Sequence, residues 1–110
     1  MLIVDVANVV GSRPTGWWRD RAGAGRRFAE QVQRAVATGA VGAPVTLVVE
    51  GKARDGVASG DAGDGIAVVH APRSGDDTIA EISAVHGTAA TVVTADRGLA
   101  ARVRQSGSSA

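Results

Sequence analysis

Asp5, Asn8, Asp76, Asp77 and Asp96 are the residues in this 110-residue chain whose types and spacing suit chemistry. Asp5 interrupts an apolar run over residues 2–10, and Asn8 follows three positions later. Asp76 and Asp77 come directly after Ser74-Gly75, and Asp96 follows the run over 90–94. A buried carboxylate costs several kcal/mol unless it is paired or holds a metal, roughly as much as a small domain's spare stability. Close carboxylates repel, and their pKa values rise unless a cation intervenes. Oxygen donors in a chain without Cys suit a hard ion, Mg²⁺ or Mn²⁺. Such an ion activates water and steadies the leaving oxygen of a phosphodiester. Asn8 would orient the site or hold a water, and Thr94 would add a hydroxyl.

The plainer reading of the same residues is capping. Ser74-Gly-Asp-Asp77 has the form of a capping box, with Asp77 in the Glu/Gln place. Asp76 and Asp77 also suit the positive end of a helix, and Asp96 suits an N-cap. Asp5 resists that reading, because an Asp inside a strand has no capping role.

The elements that must position these residues follow from hydrophobic pattern. Apolar runs over 2–10, 45–50, 65–70 and 90–94 are rich in Val and do not alternate, as in strands buried on both faces. Residues 26–36, 77–86 and 97–104 carry apolar side chains at helical spacing. Strands alternating with helices predict an α/β fold, a parallel sheet with helices on its faces. In such a sheet ligands bind beyond the carboxyl ends of the strands, which is where the acids fall. Residues 51–65 lack periodicity and read as a mobile loop; residues 105–110 read as a flexible tail after one domain over 1–104.

Composition narrows the classes. Lys plus Arg number 12 and Asp plus Glu 11, a formal net charge of +1, so no polybasic or acidic tail is present. Eleven of the twelve basic residues are Arg, the better fork for phosphate, which leaves a nucleic-acid partner open. The absence of Cys excludes thiol catalysis, disulfides and Cys-based zinc sites, and fits a reducing cytoplasm. Asp5 and the lack of a basic start argue against a signal peptide, and no apolar run is long enough to span a membrane.

Further contacts are suggested by place. Arg13 and Trp17 (or Trp18), in the segment after the first run, would meet phosphate and stack on a base, although one Trp is expected in the core. Lys52 and Arg54 follow the second run and would contact an RNA backbone. Glu50 would either join the acids or pair with Lys52 or Arg54. Neither His70 nor His86 stands in a catalytic pattern.

Asp5-Val-Ala-Asn8 resembles the D-x-x-N opening of the NYN branch of PIN-like nucleases, especially the YacP-like group. Ser74-Gly-Asp-Asp-Thr-Ile-Ala-Glu81 is similar to that group's second acidic motif, and Thr94-Ala-Asp96-Arg97-Gly-Leu99 to its Ser/Thr-x-Asp motif. The likeness spans residues 1 to about 104. It implies a three-layer Rossmann-like sheet of order 3-2-1-4, with the family's fifth strand missing here and an exposed edge beside the fourth. A second copy of the chain would cover that edge in a homodimer. It also implies a cytoplasmic, metal-dependent endoribonuclease. Asp5, Asp76 and Asp96 would bind Mg²⁺ or Mn²⁺, Asp77 and Asn8 would complete the catalytic set, and Thr94 and Arg97 would touch RNA. Ala80 stands where YacP-like members carry an acid, and Glu81 is one residue late. The competing classes are a Mg²⁺-dependent nucleotide pyrophosphohydrolase and a non-catalytic RNA-binding or interaction module.

Overall fold

A computed structural model describes residues 1–12 and 16–110. Five strands, β1 (Leu2–Asp5), β2 (Val45–Val49), β3 (Gly60–Gly63), β4 (Ile66–His70) and β5 (Thr91–Val93), form one sheet in the order β3-β4-β2-β1-β5. All neighbouring pairs are parallel except β3 with β4. Four helices accompany them: α1 (Val6–Gly11), α2 (Arg21–Ala37), α3 (Gly75–His86) and α4 (Arg97–Gln105). The α/β class expected from the alternating runs is therefore present.

Period-2 geometry sends alternate side chains of β1 to opposite faces, and each face has its own core. Val4, Leu47, Val49 and Val68 join Val6, Val10, Ala24 and Phe28 beneath α1 and α2. Ile3, Val48 and Val92 join Ile79, Leu99 and Val103 beneath α3 and α4. This two-sided burial is why the strands read as unbroken apolar runs.

Three expectations need correction. The first strand stops at Asp5, because the Asp5 carboxylate accepts the Asn8 N–H and caps α1 at once. Val6 and Val10, spaced i and i+4, then both reach the core from a helix, so a Val-rich stretch is helical by tertiary burial. An Asp at a strand's end can thus cap after all. The stretch over 51–65 is not a structureless loop: it holds a 3₁₀ turn (Gly51–Gly56) and β3. Asp64 and Gly65, both at positive φ, turn the chain from β3 into β4. The third correction concerns the tail. Ser108 is buried and its hydroxyl donates to the carbonyls of Ser83 and Gly87. Ser109 exchanges backbone hydrogen bonds with β5, to Ala90 O (3.0 Å) and from Val92 N (2.8 Å). At that point the chain itself pairs with the edge beside β5.

Helix α2 starts five residues before the periodic segment. Asp20 caps it, accepting from Gly23 N at 2.9 Å, and its first turns lie against the 3₁₀ turn, where Gly25 meets Ala53 and Val57. That approach needs glycine: a Cβ on Gly56 would stand 1.9 Å from the Ala22 carbonyl oxygen.

Candidate carboxylate site at the strand ends

Asp5 ends β1, an interior strand between β2 and β5, and its residue is only 3% exposed. Its two oxygens accept one hydrogen bond each, from Asn8 N at a long 3.4 Å and from the Thr94 hydroxyl at 3.1 Å. Thr94 Oγ1 in turn accepts the Asp96 N–H at 3.1 Å. Asn8 closes the same rim from α1, its side-chain oxygen accepting Ala95 N at 2.7 Å. The turn between β5 and α4 is thus fastened to Asp5 and Asn8 at two points. Thr94, expected to touch substrate, orients Asp5.

Burial is the main cause that lifts the Asp5 pKa above its ordinary value. The two hydrogen bonds work against that rise, while the negative charges of Asp76 and Glu50 add to it. Glu50 stands immediately after β2 and Gly75 opens α3. A Cβ on Gly75 would lie 3.2 Å from Glu50 Oε1 and 3.8 Å from Asp5 Oδ1, so this glycine leaves the two carboxylates their space. Asp76, the next residue, is half-buried. No Lys, Arg or His pairs with Asp5, Glu50 or Asp76 among the described residues.

The other expected site residues have partners or positions of their own. Asp96 caps α4, its Oδ1 accepting Leu99 N at 3.1 Å. Asp77 is exposed and pairs with Arg102 at 2.9 Å. The capping box at Ser74 does not form, since its side chain makes no cap hydrogen bond. Arg54 donates to the carbonyls of Gly51 (3.0 Å) and Ala71 (3.2 Å), tying the 3₁₀ turn to the end of β4. His70 Nε2 lies 2.6 Å from the Val57 carbonyl, a structural contact. Lys52 and Arg97 are exposed. Arg13 lies outside the described residues. Trp17 is partly buried against the α1–α2 core and Trp18 is 58% exposed.

Chemically, the rim offers oxygen donors and, among the described residues, no cation paired with them. Among the described residues no three His, Asp or Glu side chains stand close enough together to form a finished metal cage. Glu50 and Asp76 carry no hydrogen bond to a described residue that would fix their rotamers, whereas Asp5 is held at both oxygens. The donor set is that of a hard divalent ion, with one anchored carboxylate and two free to turn. Glu50 is the member that sequence left between two roles; Arg54 points elsewhere, which frees Glu50 for the rim.

Comparison with protein-family models, curated proteins and solved structures returns no significant match. The fold and the rim define an α/β protein with an acidic cluster at the carboxyl end of a mostly parallel sheet, and no described helix is long and apolar enough to cross a membrane.

Proposed function

We propose that the protein is a metal-dependent endoribonuclease of the PIN-like, NYN type, with Asp5, Glu50 and Asp76 as the residues that would hold Mg²⁺ or Mn²⁺. The observation that carries this reading is the buried Asp5 carboxylate, which meets two further carboxylates and, among the described residues, no counter-cation. Such a group is destabilising as it stands, and a divalent ion is the simplest relief. The strand order supports the Rossmann-like part of the reading, because Asp5 lies on an interior strand whose neighbours β2 and β5 are reached by crossovers to either side.

The chain's own residues would then act as follows. Thr94 and the Asn8 N–H keep Asp5 turned to the rim. Asn8, anchored on Ala95, holds the β5–α4 turn so that the Thr94 hydroxyl stays on Asp5. When bound, the divalent ion supplies Lewis-acid neutralisation of the phosphate and a more acidic water for in-line attack. Lys52 and Arg97 are exposed cations on this end and suit the RNA backbone. Asp96 serves the α4 cap, and this reading leaves it out of the ion's ligands.

Purified protein given Mn²⁺ or Mg²⁺ should cut single-stranded or structured RNA, and Asp5→Asn should stop it. RNA left intact by wild-type protein sinks the proposal; pyrophosphate released from free nucleotides instead would move the same carboxylates to the pyrophosphohydrolase reading.

A further inference from the structure

Two connections leave the carboxyl end of the sheet from neighbouring strands, one after β2 and one after β4. The first carries Glu50 into the 3₁₀ turn. The second, residues 71–74, leads to Gly75 at the start of α3. The β2–β4 ladder runs one rung past the strands, with Ala71 N donating to the Val49 carbonyl at 2.9 Å.

The next link across is a side chain. Arg54 Nε donates to the Gly51 carbonyl at 3.0 Å, and Nη1 to the Ala71 carbonyl at 3.2 Å. Gly51 comes directly after Glu50 and has φ 60°, a left-handed turn that a side chain would resist. The guanidinium therefore holds the turn on which Glu50 hangs to the connection that leads into α3. The far end of the same circuit is where a Cβ on Gly75 would stand 3.2 Å from Glu50 Oε1. No hydrogen bond to a described residue fixes the Glu50 rotamer, so the placement of its backbone decides how near its oxygens come to Asp5.

We infer that Arg54 is a positioning residue for Glu50: by clamping two carbonyls it sets where that carboxylate stands beside Asp5, and so how tightly the rim takes a divalent cation. This rests on the metal reading proposed above. It also separates by chemistry from the RNA-backbone contact that the sequence suggests for Arg54. A phosphate contact asks only for a positive charge within reach, which Lys supplies. A clamp on two carbonyls asks for donors at a fixed spacing on a rigid plane, which Lys lacks. Arg54 is itself exposed, so exchanging it leaves both cores intact.

The test is Arg54→Lys, with Mn²⁺ binding read by electron paramagnetic resonance titration in the absence of RNA. Mn²⁺ affinity should fall about tenfold, the lower end of what partners behind metal ligands are worth. In a Glu50→Gln background the same change should cost less than about twofold, because the carboxylate that Arg54 positions is gone. Cleavage at limiting Mn²⁺ should lose kcat with the KM for RNA unchanged. A tenfold loss repeated in the Glu50→Gln background means general loosening and overturns the inference. A raised KM at unchanged kcat also overturns it and returns Arg54 to the RNA backbone. Mn²⁺ binding that Asp5→Asn abolishes and Arg54→Lys leaves intact removes the inference and keeps the metal reading; wild-type protein that takes up no Mn²⁺ ends both. Mn²⁺ binding weakened by Arg54→Lys, in a protein inert on RNA, supports the inference and removes the nuclease.

Discussion

Two groups of carboxylates stand at the carboxyl ends of the strands, and they live differently. On the β1–β2–α3 side, Asp5 is buried with two hydrogen bonds, and Glu50 and Asp76 add charge beside it with no counter-cation among the described residues. On the α3–α4 side each carboxylate has been given a local partner. Asp96 takes the N–H of Leu99, and Asp77 takes the guanidinium of Arg102. The residue type and the position after a strand or at a helix start are the same in both groups. What separates them is burial and company: Asp5 is buried beside two further carboxylates, whereas Asp77 is exposed on its arginine and Asp96 is partly exposed at its cap. A carboxylate that stays buried beside like charges in a domain with little stability to spare points to a ligand.

The largest expected effect is a split in activity across these groups. Asp5→Asn should lower Mn²⁺-dependent RNA cleavage by about 10³-fold, the scale of losing a preorganised charged group. Asp96→Asn should lower it only a few fold, since Asn caps a helix nearly as well as Asp. The same two variants should move stability in a contrasting way. Asp5→Asn removes a buried charge and keeps an oxygen for the Asn8 N–H, while its amide N–H would donate to the Thr94 hydroxyl oxygen, so it should stabilise the metal-free protein by about 1–2 kcal/mol at pH 7 in urea titration. Asp96→Asn should be close to neutral. Equal losses of cleavage in both variants would join the two groups into one site and break the comparison.

Much of this contrast was invisible in the sequence for a physical reason. Val-rich runs announce burial, and so residues 45–49, 66–70 and 91–93 read correctly as strands. The same signal misled over Val6–Gly11, where the Asp5 cap and not the side chains decides that the chain coils. Strand β3, four exposed residues reading GDAG, is held by backbone pairing to β4 and carries no apolar signature; the Asp64-Gly65 turn was its one local sign. Asp5 and Asp76 stood out as chemistry, but Glu50 sat between Lys52 and a strand end, where pairing was as reasonable as catalysis. Only the course of Arg54 toward Gly51 and Ala71 decides against that pair. Conversely, Asp77 looked like a member of the site until α4 brought Arg102 to it.

Metal addition sharpens the comparison at the next scale. A ligand at about 100 times its Kd stabilises a protein by ~2.7 kcal/mol, so saturating Mn²⁺ should raise the wild-type melting temperature by very roughly 10 °C for a domain this size. Asp96→Asn should keep most of that rise, and Asp5→Asn should lose it. A rise that survives Asp5→Asn would place the ion elsewhere.

The pH dependence follows with its sign. The Asp5 pKa is raised in the folded protein, chiefly by burial, so the folded state holds this proton more tightly than the unfolded chain. Its contribution to stability is therefore fully present below the ordinary aspartate pKa. It is lost as pH rises through the folded value and is constant above. Subtracting the Asp5→Asn stability curve from that of the wild type, without metal, isolates this slope from every other carboxylate. The difference should fall with rising pH across the acid range; a flat difference would mean that Asp5 is not desolvated.

The smallest effect tests the satisfied group. Arg102 and Asp77 are paired at 2.9 Å, but their side chains are 52% and 63% exposed, so water and salt screen most of the attraction. Arg102→Ala should cost under about 0.5 kcal/mol, less still in high salt. It should also leave the Mn²⁺ shift in melting temperature unchanged, because the charge it releases on Asp77 is solvated and already far from needing an ion. A larger Mn²⁺ shift in Arg102→Ala would show that Asp77, once freed, turns to the metal. The arginine would then be what keeps the two carboxylate groups apart, and the division between them would be a matter of pairing rather than of place.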